Sequence, residues 1–364
     1  MTTQANNTVQ SIFITGCYRS GTTLADKLVH ALPQTCVGSQ PFTEFYLDLK
    51  ALFLRERYID TDLPLGDLFG ENRYCWQDFR DYLSDIGTGR LSAATWTALA
   101  WAVDESVDSL RVDQPIEHLR LRLARLLAKR LGRGDARIVG EKEIVCEEFI
   151  PFLLARNVRV LLVVRHPADV VRSAHFGGAS RHLGRNRPVL YTVRCWRKSV
   201  SYALRFGAHP ALKLVRFEDM VSAPQRIELN LRAWLGLPTD TLAVQGLDSL
   251  RDQLGRRWRP NSSWTNQGDF KLPHDVARFV AAACGPELRA MGYGDFGIED
   301  LVSAIEAFRE PKPVDHPLFR QRYKDYEGEL KREVRRLEAI ARVNSEPTLS
   351  VLTGDFARLK GLVR

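Results

Sequence analysis

Residues 11–32, SIFITGCYRSGTTLADKLVHAL, constrain what this chain can fold into more than any other stretch. SIFIT is a short β-rich apolar run, and GCYRSG is a turn with glycine at both ends. TTLADKLVHAL places Leu24, Leu28 and Leu32 at a helical repeat. Strand, glycine loop and helix in succession build an anion cradle. The helix N-terminus offers unpaired backbone N–H groups and a partial positive charge, and the loop adds further N–H donors. Gly16 and Gly21 allow the tight path, while Ser20, Thr22 and Thr23 add hydroxyl donors and can cap the helix. A strand–turn–helix with ordinary caps is the bland alternative.

The spacing Gly16-x4-Gly21-Thr22-Thr23 matches the nucleotide-triphosphate loop GxxxxGK[ST] except at its lysine, where Thr22 stands. That lysine acts on the β and γ phosphates in ATPases, so its loss argues against triphosphate chemistry. The cation sits instead at Arg19, inside the loop. A second unit, NVRVLLVVRHPADVVRSAHFG (157–177), carries a continuous β-branched run that reads as a strand buried on both faces. Arg165 ends that strand, Pro167 fixes a turn, and Ser173 follows about one helical turn after Asp169. The loop can therefore bring Arg165 near Ser173, and an arginine fork gives bidentate phosphate contacts that lysine cannot.

The GxxRSGTTL loop resembles the 5′-phosphosulfate loop of sulfotransferases that use 3′-phosphoadenosine 5′-phosphosulfate, and RHPADVVRS resembles their 3′-phosphate signature. GEKE (140–143) is similar to the family's strand-end lysine segment, and VRFEDMVSAP to its late strand and following loop. In motif order the resemblance spans residues 11 to 300. It implies an α/β fold of three layers, with a mainly parallel central sheet and a P-loop-like phosphate-binding turn; a helical insertion over about 42–135 and a C-terminal helical extension over 301–364, read from the residues themselves, are largely unaccounted for by it. It also implies transfer of a sulfonate from that donor to a hydroxyl or amine, leaving adenosine 3′,5′-bisphosphate.

The resemblance assigns Arg19, Ser20, Gly21, Thr22 and Thr23 to the 5′-phosphosulfate, Arg165 and Ser173 to the 3′-phosphate, and Lys142 to the transferring sulfonate. Asn261, Ser262 and Ser263, in a polar loop, fall where a late loop of the family closes over the cofactor; plain turn chemistry explains them equally. The catalytic base is expected in the segment after the first helix. Glu44 is the nearest carboxylate there, although it also suits a helix N-terminus. Glu143 and His175 are the next candidates, as acceptor-binding groups. Many cytosolic members have lysine at Arg19's place and a histidine base that has no clear counterpart here. No metal is implied.

The net charge of +8 and pI near 9.2 suit an anionic ligand, a nucleic acid or an acidic membrane surface, and charge alone does not choose. Two rivals to the transferase reading stand beside it: a nucleotide kinase or NTPase on a related loop, and a non-catalytic polyanion-binding module. The N-terminus lacks a signal-peptide layout and no apolar run reaches transmembrane length, which predicts a cytoplasmic protein. Six scattered cysteines without a CxxC pair suit reduced thiols. The expected partner is a small-molecule, lipid, carbohydrate or peptide acceptor and no nucleic acid. Pro115–Gly132 reads as a helix with a solvated basic face. Phe319, Tyr323, Tyr326, Leu330, Val334 and Leu337 approximate a coiled-coil seam, offering a homodimer through the C-terminal helix or packing back onto the domain.

Overall fold

Alternation of apolar side chains across one strand organises the molecule, described here by a computed structural model that covers residues 9–57, 76–176, 187–240, 272–294, 300–315 and 317–342. In β4 (Arg159–Val164), Leu161 and Val163 enter one core while Val160, Leu162 and Val164 enter another. A strand buried on both faces must lie inside a sheet with helices on either side. β1 (Gln10–Thr15) shows the same alternation, with Ile12 and Ile14 on one face and Phe13 on the other.

Both strands belong to a five-stranded, all-parallel sheet in the order β2-β3-β1-β4-β5, completed by β2 (Thr35–Ser39), β3 (Ile138–Lys142) and β5 (Leu212–Arg216). Helix α1 (Thr22–Ala31) follows β1. Between β2 and β3 come α2 (Thr43–Arg57), α3 (Trp76–Asp85), α4 (Ala93–Val103), α5 (Val107–Leu110) and α6 (Ile116–Arg130). α7 (Ile150–Leu154) precedes β4, and α8 (Pro167–Val171) and α9 (Val189–Phe206) follow it. α10 (Phe217–Ser222) and α11 (Pro224–Leu235) succeed β5, and the described chain ends with α12 (His274–Ala290), α13 (Leu301–Glu306), α14 (Pro317–Arg322) and α15 (Tyr326–Arg342). α1 and α11 cover one face of the sheet; the larger core on the other face takes residues from the insertion, α9, α12 and the C-terminal helices.

The connection from β1 runs to one edge of the sheet, and the connection from β3 crosses over β1 to β4. The strand order therefore reverses at β1, and in open α/β sheets ligands sit outside the carboxyl ends at such a point.

Three regions take a form that the sequence alone left open. Residues 35–39, between the first helix and the helical insertion, form edge strand β2, which pairs along β3. The basic face of α6 divides: Arg125, Lys129 and Arg130 are exposed, but Arg120 is buried. Its guanidinium donates to Glu141 at 2.5 Å, to the Ser11 hydroxyl at 2.6 Å and to the Ile12 carbonyl at 2.8 Å, tying the insertion to β1 and β3. The apolar seam of α15 is covered by its own chain: Leu330, Val334 and Leu337 join the main core. Arg194 of α9 reinforces the contact by pairing with Glu329 and Glu333, each at 2.7 Å, and Arg336 pairs with Glu287 of α12. Of the two alternatives for that seam, packing back onto its own chain is the one seen among the described residues. Among the described residues no helix is long and apolar enough to cross a membrane.

Candidate active site

The turn after β1 is held open by two glycines for different reasons. A Cβ on Gly16, at φ +153°, would lie 2.3 Å from the Val163 carbonyl oxygen of β4. One on Gly21, at φ +92°, would lie 2.3 Å from the Phe217 ring. Arg19 adopts the left-handed conformation at φ 67° and is exposed, with its Nε reaching toward the neighbouring loop. Ser20 goes the other way: its hydroxyl is buried and has no hydrogen-bond partner among the described residues. α1 begins at Gly21 without a side-chain cap. A buried hydroxyl left unmatched beside an uncapped helix start fits an oxyanion that supplies the missing acceptor.

The turn is propped from below. Val145 is left-handed at φ 56°, an uncommon state for a β-branched residue. Its N–H donates to the Gly16 carbonyl at 3.1 Å, and its carbonyl accepts from Lys50 at 2.6 Å and Lys198 at 3.4 Å. Both lysines are buried with Glu147 and Glu148: Lys198 lies 2.6 Å from Glu148 and 3.2 Å from Glu147, and Lys50 lies 3.3 Å from Glu148.

Across the sheet, β4 delivers Arg165 beside the turn. Its guanidinium lies 4.2 Å from the centre of the Phe217 ring, and its carbonyl accepts from the Trp196 indole at 2.7 Å. Trp196 is therefore a core residue that fixes Arg165, in keeping with its helical spacing. Beyond Pro167, α8 opens into a π turn over Arg172–Phe176 that carries Ser173. The two loops meet: Arg19 Nε donates to Ser173 Oγ at 2.9 Å, and Arg165 Nη1 reaches the Arg19 carbonyl at 3.4 Å. The structure thus brings Arg19, Ser20, Gly21, Arg165 and Ser173 together, with Thr22 and Thr23 in the first turn of α1.

The remaining candidates are placed unevenly. Lys142 ends β3 on the side of α1, donates to Gln40 Oε1 at 3.0 Å and lies 3.9 Å from Asp26. Burial lowers its amine from the usual lysine range, while Asp26 and Glu143 pull it back up. Glu143 points to the opposite face and caps α2, accepting from the Phe42 N–H and the Thr43 hydroxyl, each at 2.8 Å. Burial pushes its carboxyl up to about 8 against those two donors. Glu44 stands exposed in the first turn of α2. His175 is buried, its Nε2 lying 2.7 Å from Thr192 Oγ1. Burial, with Lys312 and Arg187 adding to it, lowers its imidazole to about 4. Asn261, Ser262 and Ser263 lie outside the described residues.

Sequence reading passed over Phe217, Tyr18, Val145 and the lysine–glutamate group. Phe217 had a visible signal, since it directly follows a strand. The buried pairs had none, because each joins residues about 50 or more positions apart.

A model of the sulfotransferase family matches residues 11–241. No curated protein matches the chain. Among solved structures, the sulfotransferase domain from the curacin biosynthetic pathway is 15% identical, with a TM-score of 0.38, over 87% of this chain and 97% of that one. A sulfotransferase from Alicyclobacillus acidocaldarius is 16% identical with a TM-score of 0.40, over 79% and 97%. Sulfotransferase STF9 from Mycobacterium avium is 15% identical with a TM-score of 0.40, over 80% and 78%.

Proposed function

This chain belongs to the sulfotransferase family, and from that premise we propose that it moves a sulfonate from 3′-phosphoadenosine 5′-phosphosulfate to a hydroxyl or amine of an acceptor. The observation that carries the reading is the contact between two anion-binding loops, Arg19 Nε on Ser173 Oγ, with Arg165 against the same arginine's carbonyl. One loop alone suits any phosphate. Two in contact suit a ligand with anionic groups at both ends of a nucleoside.

The donor would lie with its 5′-phosphosulfate in the Gly16–Thr23 turn, where the Ser20 hydroxyl lacks a partner among the described residues, and its 3′-phosphate on Arg165 and Ser173. When bound, it supplies an activated sulfonate with a good leaving phosphate. Arg19 would leave Ser173 and stabilise charge on the leaving oxygen; a guanidinium stays protonated, so it holds charge and does not hand over a proton. Lys142 stands at the adjacent strand end as a second cation, restrained by Gln40 and Asp26. Fixed donors at the positions where charge develops lower the barrier without reorganisation.

For the base we propose Glu44, exposed on the first turn of α2. Glu143 holds the start of that helix with both carboxylate oxygens and positions it. His175 is committed to Thr192 in the interior. The NTPase rival needs a cation at the helix start, where Thr22 stands, and an acid beside the loop; Glu141 and Glu143 are both engaged on the face opposite α1.

Incubation with the labelled phosphosulfate donor and a panel of hydroxyl and amine acceptors tests the reading. Label transfer, or release of the bisphosphate nucleotide dependent on one acceptor, supports it. Magnesium-dependent ATP turnover without sulfonate transfer would overturn it in favour of the NTPase.

A further inference from the structure

A single buried hydroxyl connects the two loops from behind. Thr192, in the first turn of α9, is fully buried. Its Oγ1 lies 2.5 Å from the Tyr18 hydroxyl and 2.7 Å from His175 Nε2. Tyr18 is the residue before Arg19, and His175 stands two places after Ser173 in the π turn. One side-chain oxygen therefore holds both anion-binding loops through partners 174 and 17 residues away.

The hub is itself fixed in place. Tyr191, its neighbour, stacks on the Tyr18 ring at 6.3 Å. The start of α9 is held by Glu310, whose carboxylate accepts from the N–H groups of Val189 at 2.9 Å and Leu190 at 3.3 Å. Lys312 donates to the His175 carbonyl at 2.5 Å. The segment after α13 thus braces both the hub helix and the π turn.

We propose that Thr192 is a positioning residue that sets the separation of the two anion sites, so that a nucleotide phosphorylated at both ends meets them already spaced. This rests on the reading given under Proposed function. A ligand that spans two sites binds at full strength only when their spacing matches it; a ligand that uses one site is indifferent to the spacing. Loss of the hub should therefore weaken a bisphosphate far more than either monophosphate.

The test is calorimetric titration of the full chain with adenosine 3′,5′-bisphosphate, adenosine 5′-monophosphate and adenosine 3′-monophosphate. Thr192→Val keeps the shape and removes the hydroxyl. Both hub bonds are lost, and the bisphosphate affinity is expected to fall about tenfold, with each monophosphate changing less than about twofold. Thr192→Ser should restore wild-type binding. If Thr192→Val does not fold, Tyr18→Phe breaks the same link while keeping the ring stack and should give the same selective loss. An unchanged bisphosphate affinity, or equal losses for all three ligands, would overturn the inference. Wild-type protein that binds the bisphosphate no better than the 5′-monophosphate would sink the underlying reading, a separate result obtained before any variant is made.

Discussion

Replacing Gly21 by alanine probes the glycine turn and the second anion site together. At φ +92° an L-residue is strained, costing about 1–2 kcal/mol in the left-handed region. The new methyl would also sit 2.3 Å from the Phe217 ring. That ring cannot move freely, because the Arg165 guanidinium packs on it at 4.2 Å. Forcing a methyl into such a place costs about 1–3 kcal/mol, and the two terms together give about 2–5 kcal/mol. Urea unfolding of four proteins separates them: wild type, Gly21→Ala, Phe217→Ala and the double variant. Phe217→Ala removes the clash and leaves the backbone strain, so the double variant should be more stable than additivity predicts by about 1 kcal/mol or more, as for residues in contact. A Gly21→Ala protein as stable as wild type, or strict additivity in the cycle, would refute the packing argument.

Arg19→Ala should lower turnover by about 10²-fold or more, the size seen on losing one oxyanion donor, with near-normal turnover contradicting its assignment. Arg120→Met leaves Glu141 buried without its cation, so urea unfolding should show a loss of about 3–5 kcal/mol, largely recovered by adding Glu141→Gln. Glu143 has a folded pKa of about 8 against an ordinary 4.5. Its proton is bound more tightly in the folded state, so its contribution is full below pH 4.5, declines as pH rises and is gone above about 8. Glu143→Gln should flatten that part of the stability profile; a wild-type-minus-variant difference constant between pH 4.5 and 8 would contradict the assignment.

What was legible in the sequence is what is encoded locally. The Gly16–Thr23 turn announces itself because glycine spacing and the following helical repeat lie within one short stretch, and Arg165 because a β-branched run must end in a strand terminus. The same locality explains the misses. β2 is too short and too poor in apolar residues to read as a strand, and exists because β3 offers it a partner. Arg120 looks like any exposed arginine on an amphipathic helix until Glu141 and the Ile12 carbonyl stand opposite it. The α15 seam gave the right apolar face, but periodicity cannot say whether a second copy or α9 and α12 will cover it. Thr192 carried no signal, since a lone threonine near a helix start is ordinarily a cap.

The most direct measurement is the affinity of the wild-type chain for adenosine 3′,5′-bisphosphate relative to adenosine 5′-monophosphate, followed in Ser173→Ala and Arg165→Lys. If the two loops grip opposite ends of one nucleotide, the bisphosphate binds more tightly, and either substitution erases that advantage while sparing the monophosphate. Equal affinity for the two nucleotides in the wild type, or losses that ignore the 3′-phosphate, would contradict the account.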